Sequence, residues 1–217
     1  MSRMDIVLIG ASGLARELMG YIEDDPRFRV ICALDENTSN NLPNCEVISP
    51  LNWDGNCNKA IYAVGYPEHK QEILARYANF RFHWQTYIHP TAVVSKYANL
   101  GAGCIISPFA VVAGNACIGD FVFMNVYASV GHDAIVGKFS SLMPYSCVEG
   151  YAILGEECLI STGAKILPKS HIGNRSRVSA GSVVMQNMPE DTLIYGTPAK
   201  YQPDITMLRK RKKIINN

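Results

Sequence analysis

Residues 112–136 read Val112-Ala113-Gly114-Asn115-Ala116-Cys117-Ile118-Gly119-Asp120-Phe121-Val122-Phe123-Met124-Asn125-Val126-Tyr127-Ala128-Ser129-Val130-Gly131-His132-Asp133-Ala134-Ile135-Val136. An aliphatic residue or Met recurs at every sixth position: Val112, Ile118, Met124, Val130 and Val136. The register holds without a miss from Ile88 to Val184. Four residues after each of these positions the side chain is Ala, Ser or Cys, with Val122 and Met188 as the exceptions. A helix repeats near 3.6 residues and a strand alternates every two, so a strict six fits neither alone. It fits short strands wound into a parallel β-helix, the hexapeptide solenoid.

Working outward, Gly101, Gly119, Gly137, Gly155 and Gly173 recur at every third hexapeptide. Three hexapeptides then form one triangular coil, with glycine expected at one corner for backbone angles that a Cβ forbids. The aliphatic residues point inward and stack on their equivalents about 4.8 Å away in the next coil. Five full coils from Ile88 to Arg177 and a partial sixth are expected, with residues Met188 to Lys200 capping the open end. No inserted loop breaks the repeat, so one chain cannot fold a lid over its own groove, and a trimer is expected.

The 217 residues carry a net charge of +1, with 48% hydrophobic and 18% charged side chains. Near-neutral charge argues against a nucleic-acid binder. No apolar run has transmembrane length, and Met1-Ser2-Arg3-Met4-Asp5 does not lead a signal peptide. Seven scattered cysteines without a C-x-x-C pair suit a reducing cytoplasm, and Cys104 and Cys158 occupy small positions of the repeat.

Residues 1–83 read as a Rossmann-like α/β unit, 84–200 as the β-helix and 201–217 as a basic tail. The apolar run Asp5 to Ile9 ends in Gly10-Ala11-Ser12-Gly13, and a helical pattern follows through Leu14, Leu18 and Ile22. Further strands are expected over Val30–Leu34 and Ala60–Gly65, with a helix from Pro67 to about Asn79. The glycine turn offers backbone N–H groups to a phosphate, or serves as a tight structural turn. Ser12 and Ala15 replace the second and third glycines of a dinucleotide fingerprint, which disfavours a nicotinamide site. Asp35, ending the second strand, can accept hydrogen bonds from a ribose or sugar hydroxyl.

One hexapeptide stands apart, Val130-Gly131-His132-Asp133-Ala134-Ile135. His132 falls outside the inward register, and its axial neighbours Gly114 and Gly150 lack side chains, which predicts an open groove above and below the imidazole. Such a histidine can take a proton near neutral pH, and Asp133 can raise its basicity. The alternative is an exposed surface histidine. His69, His83, His89 and His171 lie apart, no H-x-x-x-x-H spacing surrounds His132, and no metal is expected.

Together with the Ile88-His89-Pro90 opening and Gly196-Thr197-Pro198-Ala199-Lys200 near the end, these motifs resemble the sialic acid O-acetyltransferase family. That family includes bacterial N-acetyltransferases of nucleotide-linked amino sugars. The resemblance implies a left-handed β-helix, a homotrimer and acetyl-CoA bound in the groove between neighbouring prisms. It implies His132 as general base and Asp133 as its acidic neighbour. Ser12, Gly13, Asp35, Glu36, Gly65 and Asn125 would serve the sugar nucleotide, and Ser141, Thr162 and Ala180 would serve acetyl-CoA. Ser141 and Leu14 stand where many relatives have histidine.

The expected reaction is acetyl transfer to the amine of a nucleotide-linked amino sugar, for surface polysaccharide such as O-antigen. Transfer to a hydroxyl of sialic acid or another sugar is the alternative within that chemistry. A non-catalytic solenoid binding module and a nucleotide-dependent oxidoreductase are the rivals outside it. The basic run Leu208 to Lys213 reads either as a solvated tail or as a partner for CoA phosphates.

Overall fold

The computed structural model describes residues 3–204, and the basic run Leu208 to Lys213 lies outside them. The N-terminal unit is a five-stranded parallel sheet of β1 (Met4–Ile9), β2 (Phe28–Leu34), β3 (Val47–Ile48), β4 (Lys59–Tyr62) and β5 (His83–Trp84). Their order is β3-β2-β1-β4-β5. Ile6 to Ile9 are wholly buried, as a strand covered on both faces must be. Helix α1 (Gly13–Glu23) buries Leu14, Ala15, Leu18, Met19 and Ile22, the apolar stripe of its sequence. Helix α2 (Pro67–Arg76) starts on Pro67, which suits a first turn, and it stops short of Asn79. A short 3-10 turn, Ala78–Phe80, follows.

The prism is a left-handed parallel β-helix with three faces of two-residue strands. The first face runs from Val93–Val94 through Ser129–Val130 to Val183–Val184, and the second from Asn99–Leu100 through Ile135–Val136 to His171–Ile172. The third runs from Tyr87–Ile88 through Phe123–Met124 and Ser141–Leu142 to Arg177–Val178. Each strand up to Lys165–Ile166 pairs in register with the strand eighteen residues on, as Phe123 with Ser141. The aliphatic register and the small register together form one core, including Cys104 and Cys158. The end of the prism is closed by Thr192–Gly196, which joins the third face, and antiparallel Ala199–Pro203. This last strand continues past residue 200.

The corner glycines work differently from the expectation. None of Gly101, Gly119, Gly137, Gly155 and Gly173 has positive φ. A Cβ on Gly119 would instead lie 2.6 Å from the backbone nitrogen of Lys138 in the next coil. Close approach, not backbone freedom, excludes a side chain there. The left-handed angles fall on L-residues, among them Phe109, Phe121, Tyr127, Asp133, Phe139, Tyr145 and Tyr151. Each costs about 1 kcal/mol or more. The arrangement is offset by bonds to the preceding coil: Phe121 N–H donates to Ala102 O at 2.8 Å, and Tyr151 N–H to His132 O at 3.1 Å.

The two units share a core. Tyr87, Ile105 and Phe123 of the third face pack with Ile6, Leu8, Leu14 and Ile61. At one side Arg27 chelates buried Asp25 and donates to Ile88 O at 2.6 Å. At the other, wholly buried Lys70 reaches from α2 to the prism and donates to Phe121 O at 2.8 Å and Ser140 O at 3.1 Å. Burial pushes the Lys70 ammonium down to about 7, although the oxygens around Nζ favour the charged form.

Gly119→Ala is expected to lose about 1–3 kcal/mol, because backbone cannot yield to the added methyl. Thermal melting checks this, with Gly13→Ala, whose Cβ meets nothing within 4 Å, as the unchanged control for folding. Lys70 generates a pH dependence as well. Its folded pKa of about 7 lies below the ordinary lysine value of 10.5, so the unfolded chain binds more protons between these values. Its contribution to stability therefore rises with pH across that window and is constant below it. Denaturant titrations at pH 6.5 and 9.5 should show this rise, and Lys70→Met should remove it.

Candidate active site

His132 sits where the first face turns into the second, with its side chain 62% exposed. Its Nδ1 lies 2.9 Å from Asp133 Oδ2. The His132 contact, first, and a bond from Asn115 Nδ2 at 3.3 Å hold the Asp133 carboxyl below the usual carboxylate range. Tyr151 adds a smaller contribution and sets its ring edge-on to the imidazole at 5.1 Å. In the neutral ring, Nδ1–H donates a hydrogen bond to an ionised Asp133, which leaves Nε2 with its lone pair. Asn115, Asp133 and Tyr151 are eighteen residues apart, so the coil length alone places them in one column. That signal identifies Asn115 and Tyr151, which motif reading passes over.

The groove around the imidazole is open on one side only. A Cβ on Gly114 would meet nothing nearer than Ser95 Oγ at 3.7 Å. A Cβ on Gly150 would sit 2.8 Å from His132 Nε2 and 2.9 Å from Cε1. The ring itself occupies the space that Gly150 vacates. Asp133 has φ 59°, but so do its counterparts at most corners, so this angle belongs to the fold and not to the site.

The second constellation lies at the carboxyl edge of the sheet. Strand order reverses between β1 and β4, and the crevice beyond such a switch point is where open α/β sheets receive ligands. Gly10 has φ 101°, and its turn passes so close to the β4 loop that a Cβ would lie 3.1 Å from Ala63 O. Ser12 is the N-cap of α1, yet its side chain makes no capping bond, and no acidic residue occupies the first turn. Ser12 and Gly13 are exposed, which leaves a positive helix end in solvent. Asp35 accepts from Ala11 N at 2.7 Å and Asn37 N at 2.8 Å, so it fixes the turn. Glu36 pairs with Arg76, which sequence reading did not single out, across a small cavity also lined by Gly10, Leu34 and Ile73.

The remaining expected residues divide by corner. Asn125 begins the corner between the third and first faces, two residues after Phe123, whose ring packs near Leu14 and Gly65. Its Oδ1 accepts from Val126 N at 2.6 Å. Thr162 and Ala180 are exposed at this same corner, beyond the stacked rings of Phe109, Tyr127 and Tyr145. Within one chain, the full width of the first face separates these residues from His132. Ser141 does not line the groove: it is wholly buried on the third face, between Lys70 Nζ at 2.8 Å and Gly65 O at 2.6 Å. Its place in the strand turns it towards the α/β unit, which excludes the acetyl-CoA contact expected for it. Among the described residues no group of three or more His, Cys, Asp and Glu could hold a metal ion, and no helix is long and apolar enough to cross a membrane.

No family model matches the chain. Curated relatives match over short stretches: serine acetyltransferase of Buchnera aphidicola is 43% identical over 42 residues, 19% of this chain and 15% of the relative. Serine acetyltransferase of Bacillus licheniformis is 40% identical over 45 residues, 21% of each. The chain thus matches only 15% and 21% of the length of these relatives. Solved structures match far more. PerB from Caulobacter crescentus, in complex with CoA and GDP-perosamine, is 27% identical with a TM-score of 0.85, covering 91% of this chain and 97% of that one. The acetyltransferase domain of PglB from Neisseria gonorrhoeae, in complex with acetyl coenzyme A, is 26% identical with a TM-score of 0.82, covering 92% and 100%. WeeI from Acinetobacter baumannii, at 22% identity and a TM-score of 0.84, shares the fold. Along nearly its whole length, the chain has the two-unit architecture of the hexapeptide-repeat sugar N-acetyltransferases.

Proposed function

We propose that this protein is a cytoplasmic homotrimer that transfers acetyl from acetyl-CoA to the amino group of a nucleotide-linked amino sugar, for surface polysaccharide. The observation that carries the reading is the 2.9 Å contact of His132 Nδ1 with an ionised Asp133, which leaves Nε2 to act as a base on an exposed corner. The uncapped start of α1 supplies Ser12 and Gly13 for the diphosphate, with Asp35 holding the turn and Gly65 bounding the crevice. Glu36 and Asn125 complete the acceptor side. The PerB complex, which contains both CoA and GDP-perosamine, supports the pairing of these two substrates.

For acetyl-CoA, the exposed corner at Thr162 and Ala180 fits the pantetheine arm. Their backbone N–H groups have no hydrogen-bond partner among the described residues, so amide carbonyls can be received there. In the reaction, His132 Nε2 takes a proton from the acceptor amine as nitrogen bonds to the thioester carbonyl. The carbon–sulfur bond breaks, and the proton passes to the departing thiolate. Acceptor residues and His132 occupy different corners of one chain. The reading therefore joins the glycine turn and Asn125 of one copy to His132 of the next, which requires a closed ring of copies.

Incubation with acetyl-CoA and UDP-, dTDP- and GDP-linked 3- and 4-amino sugars, followed by weighing of products, is expected to give an N-acetylated sugar nucleotide. Acetylation of sialic acid hydroxyls alone would overturn the choice of acceptor, and no turnover of any CoA ester would overturn the enzyme. His132→Ala should lower turnover by about 10²–10⁴ with folding intact. Gly150→Ala should lower it by about 10², because the new methyl displaces the end of a flexible side chain and moves Nε2 while the coil survives. Mixed trimers test the shared site. His132→Ala and Gly13→Asp should each be inactive, yet co-refolded together should regain about a quarter of wild-type activity by random pairing. No recovery would place each site within one chain.

A further inference from the structure

Lys70 is the wholly buried lysine among the described residues, and no carboxylate hydrogen-bonds to it. A buried ammonium is costly, and an apolar side chain at the joint would bury similar area without that cost. Its contacts suggest what it does instead. Lys70 Nζ donates to Ser141 Oγ at 2.8 Å, and Ser141 Oγ donates to Gly65 O at 2.6 Å. A hydroxyl has one proton, so accepting from Lys70 directs that proton to Gly65. The Tyr62 hydroxyl meanwhile donates to the carbonyl of Lys70 itself. The chain between Tyr62 and Lys70 is therefore tied at its base by Tyr62 and at its tip through Ser141. That segment is the loop after β4 and the first turn of α2, on one side of the crevice where strand order reverses.

We propose that Lys70 is a positioning residue: through Ser141 it fixes the Gly65 peptide and presets the β4 loop to receive the nucleoside diphosphate of the acceptor. The proposal rests on the acetyltransferase reading for its ligand, but not for its mechanical content. A side chain of the prism thus sets the geometry of a loop in the α/β unit. The relay predicts that removing either member has the same effect as removing both.

Ser141→Ala deletes one oxygen and keeps the packing, Lys70→Met keeps the unbranched stem, and the double variant removes the relay entirely. Hydrogen exchange of residues 63–66 should speed up about tenfold in each single variant, and the double should exchange no faster than the faster single. With GDP-perosamine as acceptor probe, KM should rise about tenfold, while kcat and the KM for acetyl-CoA stay within about twofold. Calorimetry with UDP, GDP and dTDP should show the same loss in binding. Unchanged loop exchange, additive effects of the two substitutions, or equal losses for both substrates would overturn the positioning role. A wild-type protein that protects the loop but binds none of the three nucleotides would overturn the acetyltransferase reading alone, leaving the exchange result to decide on Lys70.

Discussion

Every strand of the prism from Tyr87–Ile88 to Lys165–Ile166 hydrogen-bonds to the strand eighteen residues on, in register, and this ladder is the constraint from which the rest follows. It stacks like upon like, so inward positions must be aliphatic and bends must be small. It brings backbone against backbone at the glycine corner, where even a methyl does not fit. It also supports left-handed angles on Phe, Tyr and Asp, because those N–H groups bond to the preceding coil. The ladder therefore sets side-chain size inside and backbone conformation outside, and it leaves chemistry free to vary only on the exposed corners.

What could be read from the chain follows from that division. The β-helix is legible because one constraint repeats along a hundred residues, and α1 because Leu14, Leu18 and Ile22 keep helical spacing. His132 and Asp133 are legible because they interrupt a monotonous corner. Strands β3 and β5 are not, since two residues carry no periodicity. Lys70 is hidden for another reason: in Pro67-Glu68-His69-Lys70 it reads as the solvent face of a helix, and only docking of that helix on the prism buries it. Ser141 fails likewise, because position along the repeat does not say which face the α/β unit covers. For Gly150 the position was right and the reason was incomplete, since the imidazole fills the space it leaves.

The α/β unit covers one face of the prism and leaves two exposed, and this sets the division of labour between corners. One of the two corners that adjoin the covered face follows Phe123, which packs near Leu14 and Gly65, and carries Asn125. The corner between the two exposed faces carries His132 with its column of Asn115, Asp133 and Tyr151. In the proposed reading, acceptor specificity and proton transfer are mounted on one rigid frame but on different edges of it. In that reading, changes in the glycine turn alter what is bound without disturbing the imidazole, whose orientation is set by Asp133, Tyr151 and Gly150 at its own corner.

The coil also acts as a ruler. Adding one residue to the ladder between Ile88 and Val184 would take every later aliphatic side chain off its column. Adding eighteen would restore all corners and lengthen the prism by about 4.8 Å. Change in the length of the ladder is therefore quantised: an insertion either leaves the prism as a loop at a corner or adds whole coils. The residues around His132 span three successive coils, from Asn115 to Tyr151. Coils inserted beyond them would move the terminal hairpin outward and leave the histidine corner untouched. The distance from chemistry to cap can thus drift in steps over evolution while the chemistry stays fixed.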